Sequence, residues 1–200
     1  MDKIICIAGP TASGKTALAV ELAKLTDGEV VSCDSMQVYK RMDIGTAKPT
    51  REEMEGIPHH MLDVAEPDED FSVSRYCELA TPIVEDILAR GKTAIVAGGT
   101  GLYMDALIRG NDFAPFPSTG MREKLEQQAD SDCMEAMLEL LRSIDPDSAA
   151  RLHLADRKRI IRALEVWYET GETITAHNIK TQSLPPRFEP LWRGVDFSAR

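Results

Sequence analysis

Nothing in this chain of 200 residues approaches the ~20 consecutive apolar residues that a membrane-spanning helix needs. The longest apolar runs, such as Ile4 to Ala8 and Ala94 to Ala97, are far shorter. The N-terminus also lacks the basic and apolar regions of a secretory signal, so the expectation is a cytoplasmic protein with no membrane partner. Cysteine is sparse: four residues, at 6, 33, 77 and 133, with no C-x-x-C pair to suggest zinc or a redox couple. Cys6 and Cys33 lie in apolar strand patterns and read as small buried hydrophobes of a reducing compartment. Positive charge is scarce too. The net charge is −10, and Glu52 to Asp70 holds eight acidic residues and no Lys or Arg, which argues against a general polyanion binder. The balance reverses between Arg151 and Arg162, where five Lys or Arg face one Asp156, a local +4 that leaves room for one basic surface. There is no internal repeat and no low-complexity tract.

What is present is a core-forming composition, 43% apolar, and a phosphate loop. Gly9-Pro10-Thr11-Ala12-Ser13-Gly14-Lys15-Thr16 satisfies G-x-x-x-x-G-K-[ST] in full, after a β-rich run (Lys3 to Ala8) and before a helical one (Gly14 to Leu25). Its glycines let backbone N–H groups turn toward phosphate oxygens at a helix N-terminus. Lys15 would contact the terminal phosphate, and the Thr16 hydroxyl would help hold Mg²⁺. The bland alternative is a glycine-rich turn with no ligand. What the usual nucleotide hydrolase adds is missing, however: the apolar strand Thr93 to Ala97 ends in Gly98, Gly99 and Thr100 instead of a metal-holding aspartate. No guanine-reading N-K-x-D motif occurs either. The carboxylate placed to reach the phosphate pocket is Asp34, at the end of the strand Glu29 to Cys33, because ligands of open α/β sheets bind beyond the carboxyl ends of strands. One carboxylate beside a phosphate suits proton abstraction from a second substrate.

The remaining pattern predicts an α/β fold, a parallel sheet of P-loop type flanked by helices, with a helical insertion. Residues 43 to 58 read as loop and His60 to Val64 as a short strand. Ser72 to Arg90 is helical, Pro82 being a potential bend, and Leu102 to Arg109 is a helix stopped by Gly110. On the first helix Leu18, Leu22 and Leu25 share one face. The expected organisation is a core over 1–110, an insertion over 111–184 with helices near 119–129, 132–143 and 156–170, and a return segment over 185–200 with a strand from Leu191 to Phe197. Adjacent His59 and His60 have no metal partner at useful spacing, so a loop or substrate-edge role outweighs zinc. Trp167 and Tyr168 read as packing residues, and Glu66 to Asp70 as a solvated acidic loop.

Several stretches, taken in order, resemble the tRNA dimethylallyltransferases, also called tRNA isopentenyltransferases: "GPTASGKT" at 9–16, "DSMQVYK" at 34–40, "DIGTAKP" at 43–49, "PHH" at 58–60, "GGTGLY" at 98–103 and "DRKRIIRALEV" at 156–166. The phosphate loop alone is generic, shared with ATP-binding proteins at large; the other segments are specific to that family. The resemblance implies transfer of a dimethylallyl group from dimethylallyl diphosphate to the N6 amine of the adenosine beside the anticodon of tRNA, with Mg²⁺ as the cofactor; a monomer is the default expectation, which no sequence feature decides. It makes Asp34 the general base and gives Thr16 the diphosphate or its metal. Asp34, Ser35, Met36 and Gln37 match the part that meets the target nucleotide, and Thr100, Arg122, Arg159, Ile160, Ile161, Arg162 and Ala163 match positions of tRNA contact. Members of the family continue into further basic helices, so the resemblance also implies that their C-terminal section is missing after Arg200. Three other readings stand beside it: an adenylate isopentenyltransferase, a small-molecule kinase of the shikimate kinase type, and a nucleotide-dependent switch.

Overall fold

A computed structural model describes residues 3–110, 119–131 and 133–195. The chain divides into two compact units, Met1–Asn111 with Pro186–Arg200, and Asp112–Pro185.

The first unit is a parallel sheet. Strand β1 (Lys3–Ala8) leads through the phosphate loop into α1 (Lys15–Thr26), and β2 (Gly28–Ser32) follows. A capped turn of helix, α2 (Arg51–Met54), precedes the two-residue strand β3 (His59–His60). Then come α3 (Val73–Ala89), β4 (Thr93–Gly98) and α4 (Gly101–Arg109). The sheet order is β3-β2-β4-β1 with β5 (Glu189–Gly194) at the far edge, every pairing parallel. Alternation along the strands divides the core between two faces. Ile7, Val30 and Ile95 pack with Ala19 and Ala23 of α1. On the other face the Tyr76 hydroxyl of α3 donates to the Ser32 carbonyl at 3.0 Å, and its ring stacks on Tyr103 of α4. Cys6 and Cys33 are fully buried, and burial pushes both thiols up to about 12.

Several expectations change here. Helix α1 packs through Ala19, Val20 and Ala23 with Leu18 and Leu22 partly buried against the same core, and of the expected face only Leu25, 79% exposed, lies past the contact. Residues 51–54 are helical through a capping box, Thr50 and Glu53 satisfying each other's backbone N–H groups. The third strand is His59–His60, and Met61 and Asp63 take left-handed backbone immediately after it. Helix α3 runs through Pro82, which sits on its exposed face. Strand β5 begins at Glu189, ahead of the expected Leu191; Phe197 lies outside the described residues.

The second unit is helical: α5 (Met121–Ser131), α6 (Met134–Ile144), α7 (Pro146–Ala149), α8 (Arg157–Thr170) and α9 (Ile174–Ser183). Its core joins Leu125, Leu138, Leu141, Ile160, Ile161 and Leu164. Buried Asp145 caps α7 by accepting from Ser148 N and receives Thr175 N with its other oxygen, both at 3.0 Å. Helix α9 escapes the periodicity reading because none of its residues is buried. Tyr168 is 46% exposed, so of the expected packing pair only Trp167 is half-buried. No described helix is long and apolar enough to cross a membrane.

Candidate active site

The phosphate loop leaves β1 at Gly9, where a Cβ would stand 2.5 Å from the Val195 carbonyl, so the turn admits only glycine. Ala12 and Gly14 take positive φ (62° and 83°), and Gly14 caps α1 without any side-chain hydrogen bond to the helix. The first N–H groups of α1 therefore stay available for an anion. Lys15 Nζ folds back on the Pro10 carbonyl at 2.6 Å. Burial lowers its pKa and the charge of Asp34 opposes that shift, so the two groups share one field. Thr16 lines the same cavity of about 270 Å³, with Asp34 opposite. The buried Ser13 hydroxyl on that wall has no hydrogen-bond partner, and neither has His59 Nε2. His59 Nδ1 lies 2.8 Å from the Ile57 carbonyl, and burial holds the ring below its usual pKa. The structure thus gives His59 a place on the cavity wall. Its neighbour His60 turns away to Glu29 at 2.9 Å. No group of three or more His, Cys, Asp or Glu able to hold a metal occurs among the described residues.

The end of β4 explains the missing aspartate. A Cβ on Gly98 would fall 1.9 Å from the Cys33 carbonyl, so no side chain fits where the neighbouring chain crosses. The same crossing presents Asp34. Its Oδ1 accepts from Met36 N at 2.9 Å and from Gln37 N at 3.4 Å, which fixes the carboxylate and leaves Oδ2 toward Gly99. Thr100 secures the turn: its hydroxyl accepts from Ser35 N at 3.0 Å and donates to Ser35 Oγ at 3.3 Å. Gln37 accepts from Ser32 Oγ at 2.9 Å and donates to the Thr46 and Ala47 carbonyls, so its polar atoms are already spent inside the protein. Met36 is 44% exposed.

A second cavity, about 480 Å³, adjoins the first; Thr11, Asp34 and Thr46 line both. Met36, Met42 and Ile44 give it apolar walls, and Arg41 and Asp43 its charges. The 42–47 loop that forms its far side is held by Lys48, whose role sequence spacing did not announce. The Lys48 side chain is 5% exposed, and its Nζ donates to the Tyr39 carbonyl at 2.8 Å and to Asp43 and Asp63 at 2.7 Å each. Burial works to lower its pKa, but the two carboxylates outweigh that and the net shift is upward.

The remaining candidates lie in the helical unit. Ile160, Ile161 and Ala163 are buried in its core, so their side chains hold α8 in place and offer no surface to a partner. Arg159 is exposed and pairs loosely with Asp156 at 3.3 Å; Arg162 pairs with Glu165 at 2.8 Å, and Arg122 with Glu126 at 3.2 Å. The acidic loop is also less free than its composition suggests, since Glu66 pairs with Lys40 and Arg41, and Glu69 with Arg75.

Comparison with known proteins matches this arrangement. The family model described as IPP transferase matches residues 37–199. The tRNA dimethylallyltransferase of Acetivibrio thermocellus is 47% identical over 98% of this chain and 63% of its own length, and that of Thermoanaerobacter sp. strain X514 is 46% identical over 99% and 64%. This chain therefore spans a little under two thirds of these relatives. Among solved structures, the tRNA delta(2)-isopentenylpyrophosphate transferase of Staphylococcus epidermidis is 41% identical with a TM-score of 0.60, covering 97% of this chain and 63% of that one. A eukaryotic dimethylallyltransferase acting on tRNA is 33% identical with a TM-score of 0.81, covering 98% and 48%. With the family model covering most of its length and relatives aligned along nearly all of it, this chain belongs to the IPP transferase family.

Proposed function

We propose that this chain carries the donor and acceptor pockets of an enzyme that moves a dimethylallyl group from dimethylallyl diphosphate to the N6 amine of the adenosine beside the anticodon of tRNA. The observation that carries this reading is the meeting of two cavities at Asp34, one lined by the phosphate loop and the other by Met36 and the 42–47 loop. A diphosphate in the first cavity places its leaving oxygen among the α1 N–H groups and Lys15, where charge develops as the carbon–oxygen bond breaks. A flipped adenine in the second brings its amine to the same carboxylate, since a base cannot react inside its stack. The new bond joins N6 to the allylic carbon. The amine is too weakly acidic to ionise first, so its proton passes to Asp34 Oδ2 as attack proceeds. Backbone donors on Oδ1 keep that second oxygen aimed.

Mg²⁺ fits this donor set. The Thr16 hydroxyl is the protein group at hand and no carboxylate cage competes among the described residues, as suits an ion carried mainly by diphosphate and water. When bound, it would neutralise charge on the departing diphosphate. Arg159 and Arg162 are the residues for phosphates of the anticodon loop, and Thr100 acts by holding the Asp34 turn.

Incubation with labelled dimethylallyl diphosphate, Mg²⁺ and unmodified tRNA tests the reading, AMP and ATP serving in separate reactions. Label on tRNA alone is the expected result. Label on AMP, or a phosphorylated product formed from ATP, would replace it with the adenylate transferase or the kinase.

A further inference from the structure

We propose that Lys48 is a positioning residue of the acceptor pocket, a buried ammonium that sets the wall against which the adenosine rests. The inference relies on the transfer reading above for its meaning, and on geometry for its existence. Lys48 gathers three separate segments onto one nitrogen: Tyr39, just past the Asp34 turn; Asp43, on the 42–47 loop; and Asp63, after β3. An ammonium carried out of water suffers a large penalty unless all its protons find acceptors, and here each of the three does. A surface lysine pair could be lost at little cost; this one cannot.

The loop so fastened is short of other anchors. It has no regular secondary structure, its Ile44 side chain is 99% exposed, and its remaining ties are the Gln37 amide on the Thr46 and Ala47 carbonyls, the Thr46 hydroxyl on the Met42 and Asp43 carbonyls, and local backbone turns. Yet it supplies Met42, Asp43, Ile44, Gly45 and Thr46 to the second cavity, while of the phosphate loop only Thr11 reaches that cavity. Without Lys48, Asp43 and Asp63 lose the counter-charge they share, and the loop loses its tie to Tyr39 beside the Asp34 turn. Thr46 and Ala47 of the same loop also reach the first cavity, so the consequence is graded: the acceptor side should suffer much more than the donor side.

The test compares wild-type protein with Lys48→Ala and the milder Asp63→Asn, a substitution suited to the left-handed backbone at 63 (φ 56°). In Lys48→Ala, kcat/KM for unmodified tRNA is expected to fall about a hundredfold, as a displaced wall misplaces the amine. KM for dimethylallyl diphosphate should change far less, by about fivefold at most, since the phosphate loop is untouched and only Thr46 and Ala47 of the loop reach its cavity. Added propylammonium, which replaces the missing atoms, should restore transfer, and Asp63→Asn should fall between the two. Hydrogen exchange is measured in parallel, and the Ala47 and residue-48 amides, which donate to the Ile44 and Asp43 carbonyls, should lose protection in Lys48→Ala while those of β1 and β4 keep theirs. Unchanged protection in the loop, unchanged transfer, or equal losses on donor and tRNA without propylammonium rescue would each overturn the proposal. Should the wild-type protein transfer to no RNA, the transfer reading fails, and the exchange result alone decides whether Lys48 holds the loop.

Discussion

Under the proposed transfer reading Asp34 and Lys15 act in one field but on different partners, so their substitutions should separate. Asp34→Asn keeps the shape of the turn and removes the proton acceptor; transfer is expected to fall by about a hundredfold or more with donor binding retained. Equal transfer rates for the two proteins in a single-turnover assay would end the assignment of the base. Lys15→Ala should instead weaken dimethylallyl diphosphate binding by about tenfold or more, read by titration calorimetry, because one charge-assisted contact is lost. Gly98 belongs to the same scale. A methyl group there meets a backbone carbonyl at 1.9 Å, which no rotamer can relieve. Gly98→Ala is expected to destabilise the sheet by about 1–3 kcal/mol, measured by urea unfolding. These residues were legible from spacing alone because each sits at a fixed offset from a strand end. The part played by Lys48 was not, nor was which of His59 and His60 faces the cavity. All three lie within segments already singled out, but their partners come from elsewhere in the chain.

At the scale of elements, the strand ends are tied by charge as well as by backbone. Glu29 on β2 is buried and receives Arg90 from the end of α3 at 2.5 and 2.9 Å, with His60 of β3 at 2.9 Å and Lys92 at 3.2 Å. The Arg90 hydrogen bonds, helped by His60 and Lys92 and opposed by burial, hold the carboxyl at about 2 against an ordinary value of 4.5. A depressed carboxylate stabilises the fold above its ordinary pKa and loses that contribution as pH falls through the folded one. Urea midpoints should therefore drop between pH 4.5 and about 2, and Glu29→Gln should lower the midpoint at neutral pH while flattening that part of the profile. A mutant profile parallel to the wild type would locate the acid sensitivity elsewhere. Helices α1, α3, α4, α5, α6 and α8 were readable from periodicity or punctuation. Helix α2 depends on a capping box, α7 on the buried Asp145, and α9 on polar surface residues, none of which gives an apolar repeat.

For the whole molecule the sign of the charge matters. A chain of net −10 gains little from general attraction to RNA, so the proposed tRNA binding would have to come from a few cations set against that background. Arg159, 75% exposed at its side chain, is one of them. If it meets a phosphate, Arg159→Ala should weaken tRNA binding and reduce the slope of log K against log salt by about 1, leaving transfer to a saturating substrate largely intact. An unchanged slope in filter-binding titrations would remove Arg159 from the interface. The chain spans a little under two thirds of its relatives, so the same titration on a full-length relative would measure what the rest contributes.

By itself the sequence determined the phosphate loop, the strand ends that surround it and the parallel α/β class, because these follow from local periodicity and from glycines whose backbone geometry nothing else can adopt. Tertiary structure alone decided that Gly98 must be bare, that Asp34 stands where two cavities join, that Ile160 and Ile161 serve a core, and that Lys48 clamps the loop opposite. Each of those depends on which distant segments come within a few ångströms, and contact between segments is a property of packing that no single stretch encodes.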